Sequence, residues 1–145
     1  EIGVIFIDLD DFKAINDRYG HSVGDEVLVF VASRLRELTR SDDIVGRFGG
    51  DEFLLVCHGA DTDEHLARMG ERVRDAINQP VQLTVGTIDI HASVGTARWE
   101  PGLTASTLVA HADAVMYSAK HERSEPQQNL PARTPTDRRT RTASP

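Results

Sequence analysis

Five carboxylates gather at two points of this chain, each where an apolar run meets a turn. In "FIDLDDFKAIN", Asp8, Asp10 and Asp11 stand between a strand-like run and a helix-like one. In "RFGGDE", Asp51 and Glu52 follow Gly49 and Gly50 and precede Phe53, Leu54, Leu55 and Val56. Side chains alternate along a strand, so Asp8 and Asp10 share a face while Leu9 points the other way. If the two runs are neighbouring strands, Asp8 and Asp51 converge on one cation. Carboxylate oxygens with few nitrogens suit Mg²⁺, which takes one or two carboxylates and completes its shell with substrate phosphate. The backbone N–H groups of Asp11, Phe12 and Lys13 open a helix, a ready site for phosphate. Carboxylates, cation and helix end together spell phosphoryl or nucleotidyl transfer. The same residues also have plainer readings. Gly-Gly and Gly-Asp are ordinary hairpin chemistry, and aspartates before a helix are good caps.

The elements that must position these groups follow from periodicity. Val4 to Asp8 reads as a buried strand, and residues 11–18 as a short helix with Phe12 and Ile15 inward, closed by Gly20. From Gly24 to Leu38, Val27, Val31, Leu35 and Leu38 recur at helical spacing. Ile44 to Phe48 and Phe53 to His58 make a hairpin around the acidic turn. An amphipathic helix covers about 63–78 and ends before Pro80. Val81 to Val85 and Thr87 to Thr96 read as a second hairpin turning at Gly86, and a last helix spans about 104–121. The order β-α-α-β-β-α-β-β-α predicts an α+β or mixed-sheet domain with helices covering the sheet.

The chain has 145 residues, 39% of them hydrophobic, enough for one domain with a real core. Its net charge of −7 lies in the body; the stretch beyond residue 121 is net basic. An acidic body argues against nucleic acid as a partner. The Pro-, Thr- and Arg-rich residues 122–145 bury too little to order and are expected to be a disordered tail. A lone cysteine, Cys57, reads as core and points to a reducing compartment. The scattered His58, His65, His91, His111 and His121 show no metal-ligand spacing. No apolar run approaches the roughly 20 residues of a membrane span. The chain opens on Glu1 straight into a strand, which reads as a fragment, with any membrane attachment left to an unseen upstream domain.

Three motifs, "GGDEF" (Gly49 to Phe53), "DLDDFKAINDRYGHSVGDEVL" and "ADAVMYSAK", together resemble in order and spacing the GGDEF family of diguanylate cyclases. The resemblance runs from about residue 2 to residue 121. It implies a fold related to adenylyl cyclases and polymerase palm domains, and condensation of two GTP into cyclic di-GMP in the cytoplasm or at its membrane face. It further implies that Asp8, Asp51 and the main-chain carbonyl of Leu9 hold two Mg²⁺, or Mn²⁺ in their place, on the GTP phosphates. Asp51, with Glu52 beside it, would help deprotonate the attacking 3′-hydroxyl. Asn16 and Asp25 would read guanine, whose N1–H and exocyclic amine a carboxylate accepts. His21 would lie near the nucleotide. Phe12 and Lys13 would line the phosphate end, Lys120 would neutralise terminal phosphates, and Gly49 and Gly50 would clear space for the substrate. "RSDD" sets Arg40 and Asp43 five residues before the signature, the spacing of the family's inhibitory product site, with Arg72 as a helper. Otherwise R-x-x-D is a salt-bridged helix exit. The product joins two nucleotides head to tail, so the resemblance also implies a homodimer.

The chain departs from the family pattern in two places. The helix and "DxLTGLxNR" segment that usually precede the first strand are not in this sequence, which should uncover sheet surface. The phosphate-binding arginine expected at position 124 is Ser124, with Arg123 one place early. Lys120 is then expected to neutralise phosphate largely alone. These departures keep a second reading in view: a degenerate module that binds GTP or cyclic di-GMP and regulates a partner.

Overall fold

A computed structural model describes residues 1–124. Its elements are β1 (Ile2–Leu9), α1 (Phe12–Tyr19), α2 (His21–Leu38), β2 (Ile44–Arg47), β3 (Glu52–His58), α3 (Asp63–Ile77), β4 (Val81–Leu83), β5 (Gly86–Ile88), β6 (Ala92–Arg98) and α4 (Ala105–Ser124). Strands β2-β3-β1-β6 form one sheet in that order, every pairing antiparallel, and β4-β5 form a separate ribbon. This is the α+β architecture expected. The basic stretch expected to be disordered falls, from residue 125 onward, outside the described residues.

β1 is central, and its run of apolar residues is the reason: it has a face to bury on each side. Ile5, Ile7 and Leu9 point to the layer of α2 and α3, joining Val27, Val31, Leu35, Phe53, Leu55 and Ile77 in the main core. Val4 and Phe6 point the other way, toward Leu108, Ala112 and Met116 of α4. Each such side chain is nearly inaccessible, and burial stabilises by about 1.5–3 kcal/mol apiece. Cys57 belongs to the main core, as expected; burial, reinforced by the charge of Asp43, pushes its thiol up to about 12. Toward β2 the second face is more open. Ile44 and Phe48 are exposed, although Phe48 meets Phe6 edge-on at 5.3 Å.

Gly95 sets how closely α4 approaches. A Cβ there would lie 2.1 Å from Ala112 O and 2.2 Å from Met116 N, backbone atoms that cannot swing away. Gly95→Ala is therefore expected to lower the unfolding free energy by about 1–3 kcal/mol or more in chemical denaturation, because α4 must lift off the sheet. An unchanged midpoint would mean the helix slides freely.

Three boundaries differ from the sequence-based expectation. α2 begins at His21 rather than Gly24, because Gly20, at φ +90°, provides the break. The second hairpin is confined to β4 and β5. The predicted long strand from Thr87 to Thr96 changes neighbours midway: residues 89–91 leave the ribbon and β6 joins β1. Finally, α4 continues past residue 121 to Ser124.

Candidate active site

Alternation along the strands decides which groups meet. On β1, Asp8 has the parity of Val4 and Phe6, so it faces α4. In register with it are Glu52 on β3 and Ser93 on β6, beside the Leu54 and Ala97 that also pack on the α4 side. The site is thus the end of the α4 face, where the apolar pattern gives way to polar residues. The Leu9 N–H donates to Asp51 O at 3.0 Å, stitching the acidic turn to the end of β1. Arg47 holds the turn from its other side, its guanidinium donating to the carbonyls of Gly49 and Gly50.

Charge is concentrated here. Burial pushes the Asp8 carboxyl above its ordinary value; Lys120 opposes the shift, and the charges of Asp51 and Asp10 add to it. Glu52 is raised likewise, by burial first and then by Asp8, Asp51 and Asp113. The Lys120 ammonium bonds Asp8 Oδ1 at 2.6 Å and lies 3.9 Å from Asp10 Oδ1. Burial pulls its pKa down, but the bond to Asp8 and the surrounding acids outweigh that and raise it.

Behind this pair lies a second ring, whose Ser93 sequence reasoning missed and whose Arg123 it set one place early. Ser93, fully buried, donates to Asp10 Oδ1 at 2.7 Å. Arg123 donates to Ala92 O at 3.1 Å and to Ser93 Oγ at 3.3 Å, with its Nη1 3.8 Å from Asp10 Oδ2. Asp10, Asp11, His91, Lys120 and Arg123 line one cavity of about 280 Å³. Lys120 is therefore not the only cation at this end. Three residues apart on a helix share a face, and α4 persists far enough to turn Arg123 inward. Counting from Lys120 would have found it, had the helix been drawn to 124.

The helix entry is open. Asp11 sits at φ +54° before α1 and its side chain makes no capping bond, so the capping reading of the aspartates does not hold at that position. Phe12 is half-buried against the core, and Lys13 is exposed, paired with Asp17. Asn16, on α1, lies against Gly24 of α2, next in sequence to the exposed Asp25; His21 is exposed at the start of α2. The two signature glycines differ. The place of a Cβ on Gly49 is occupied by the Glu52 carboxylate, whereas Gly50 faces open space.

The R-x-x-D pair is arranged differently from a salt bridge. Asp43 accepts from the N–H of Arg40 at 2.9 Å and from the N–H of His58 at 3.0 Å, so its carboxylate ties the turn to β3. Arg40 and Arg72 are exposed, and among the described residues no hydrogen bond or ion pair joins Arg72 to Arg40 or Asp43.

The donor set fits a hard divalent cation. Asp8, Asp51, Glu52 and the Leu9 carbonyl offer oxygen only, in a spot where burial, with neighbouring acids adding to it, raises the Asp8 and Glu52 carboxyls. Among the described residues no three His, Cys, Asp or Glu side chains form a group able to hold a metal unaided. Among those residues, too, no helix is long and apolar enough to cross a membrane.

Known proteins are similar to this chain in sequence and in fold. The bifunctional diguanylate cyclase/cyclic di-GMP phosphodiesterase MucR of Pseudomonas aeruginosa is 42% identical over 120 residues, which cover 82% of this chain but 17% of MucR. The crystal structure of the GGDEF domain of TpbB (YfiN), also from Pseudomonas aeruginosa, superposes with a TM-score of 0.78 at 36% identity, covering 83% of this chain and 76% of that one. The GGDEF domain of DgcB from Caulobacter crescentus, solved in complex with c-di-GMP, gives 0.76 at 28% identity, covering 83% and 72%. This chain spans well under half the length of full-length relatives such as MucR. The profile of the family described as "Diguanylate cyclase, GGDEF domain" matches residues 1–126, and the chain belongs to that family.

Proposed function

We propose that this domain condenses two molecules of GTP into cyclic di-GMP, releasing two pyrophosphates. The observation that carries the reading is the intact acidic end of β1 and β3, Asp8 with Asp51 and Glu52, beside the Lys120 and Arg123 cations. In each half of the reaction a 3′-hydroxyl oxygen bonds to the α-phosphorus of the other GTP. The bond from that phosphorus to the pyrophosphate oxygen breaks, and the hydroxyl proton passes to a carboxylate. Asp51, with Glu52 held beside it over Gly49, is the acceptor; the burial that raises Glu52, with the neighbouring acids adding to it, favours proton uptake. Asp8, Asp51 and the Leu9 carbonyl would hold Mg²⁺, or Mn²⁺ in its place. When bound, the metal polarises the phosphoryl oxygens and lowers the pKa of the attacking hydroxyl. Lys120 and Arg123 face the departing phosphates, and Asn16 and Asp25 select the base.

The deciding experiment incubates the 145-residue chain with GTP and Mg²⁺ and analyses the products by chromatography. Cyclic di-GMP and pyrophosphate in a 1:2 ratio are expected. GTP binding without turnover would favour the second reading, a nucleotide-binding regulatory module, to which Ser124 lends some weight.

We also assign Arg40 to an inhibitory product site. Asp43 is committed to two backbone N–H groups, which leaves the exposed Arg40 guanidinium as the phosphate-binding element. Arg40→Ala is expected to leave the initial rate nearly unchanged and to raise the cyclic di-GMP concentration for half-inhibition roughly tenfold to a hundredfold, the loss of one charged contact. Inhibition at the wild-type product level would make Arg40 a surface residue only.

A further inference from the structure

Gly24 lies in the second turn of α2, fully covered by α1. A Cβ at this position would lie 1.8 Å from Asn16 Oδ1, 2.9 Å from Asn16 Cγ and 3.3 Å from Phe12 Cζ. The first of these is far inside any non-bonded contact. Asn16 therefore occupies the volume that a side chain on residue 24 would need. Its Oδ1 is also buried without a hydrogen-bond partner. Packing against the bare Gly24 backbone, rather than a bond, holds the amide where it is. With the oxygen turned inward, the amide nitrogen is the end left to meet a ligand.

We infer that Gly24 is a positioning residue for base selection: it leaves the space in which Asn16 settles beside Asp25. This rests on the reading of Asn16 as a guanine contact. A glycine inside a helix is otherwise a liability, since alanine loses less backbone freedom and favours the helix. If Gly24 did nothing but continue α2, Gly24→Ala would stabilise the domain and leave nucleotide binding alone. The clash with Asn16 overturns the second half of that expectation. The added methyl drives the amide, the end of a flexible side chain, out toward solvent, so base recognition falls while α2 itself is not weakened.

The test uses Gly24→Ala, Asn16→Ala and the double variant in the 145-residue chain. Binding of a non-reactive GTP analogue and its ATP counterpart is measured by calorimetry, and stability by chemical denaturation. Gly24→Ala is expected to weaken the GTP analogue roughly tenfold, as for one lost hydrogen bond, and to lower its preference over the ATP analogue by a similar factor. Asn16→Ala should do the same. The double variant should bind no worse than Asn16→Ala, because the two act as one unit. In the Asn16→Ala background the glycine substitution should no longer alter the preference between the two analogues. If Gly24→Ala alone fails to fold, recovery of folding in the double variant supports the clash, and a double variant that stays unfolded overturns the inference. Weakened binding by Asn16→Ala with unaltered binding by Gly24→Ala overturns the inference alone. Unaltered binding by Asn16→Ala overturns the guanine reading, and the inference with it.

Discussion

Asp8→Asn and Asp51→Asn are each expected to abolish cyclic di-GMP formation, by roughly 10³-fold or more, while the folded domain is kept. The size follows from the several kcal/mol that a metal-held phosphoryl group contributes, each 1.36 kcal/mol being tenfold in rate. The preserved fold follows from the strain at the site. Asp8 is raised because burial disfavours its charge, and Lys120 only partly offsets this. An acid whose folded pKa is raised holds its proton more tightly in the folded state. Its contribution is favourable below the ordinary carboxylate range and turns into a penalty as pH rises through the raised value. At neutral pH the wild-type domain carries that penalty, and asparagine removes it. Asp8→Asn should therefore match or exceed wild-type stability at pH 7, with the advantage shrinking as pH falls below the carboxylate range. Chemical denaturation across pH, alongside product chromatography, checks both halves. Near-normal turnover in either variant would remove that side chain from the cation site; a collapsed midpoint would make it a structural residue.

The two acidic clusters were readable from sequence because each ends an apolar strand, and parity along β1 already put Asp8 and Asp10 on one face. The sequence could not say which helix that face would meet. Lys120 lies 112 positions from Asp8, and only the packing of α4, admitted by Gly95, joins them. The failure at β5 and β6 has a clear origin. Ile88, Ile90 and Ala92 are all buried, so alternation continues unbroken through residues 88–92. Periodicity records which way side chains face, whereas the change of hydrogen-bonded neighbour from β4 to β1 leaves no mark on it. Ser93 escaped for a similar reason. A serine in a strand is unremarkable until its register sets it across from Asp8 and within reach of Asp10 and Arg123. The apolar spacing placed the start of the second helix at Gly24; its actual place inside α2 becomes intelligible only with Asn16 packed on it.

Activity is expected to depend on two copies of the domain meeting. On the proposed reading each chain would present one base-reading pair, Asn16 with Asp25 on α1 and α2, and one acidic lip, Asp8 with Asp51. The product requires two guanosines joined head to tail, each 3′-oxygen attacking the other's α-phosphorus. On that reading a single lip would hold one triphosphate, and its attacking partner would arrive on a second chain, with a near two-fold axis passing through the product. The sequence contains no heptad run to hold two copies together. Association is then governed by mass action: well below the dimer dissociation constant, the paired fraction is proportional to concentration, and tenfold dilution lowers the rate per chain about tenfold. A two-stranded coiled coil fused ahead of Glu1 should flatten this dependence by raising the local concentration of the partner. Initial rates across a dilution series, with the mass of the species followed by light scattering, make the comparison. A rate per chain that stays constant while the protein remains monomeric throughout would rule out the paired mechanism. Constancy in the fused protein together with a falling rate in the unfused one would locate the second half-site on the partner copy.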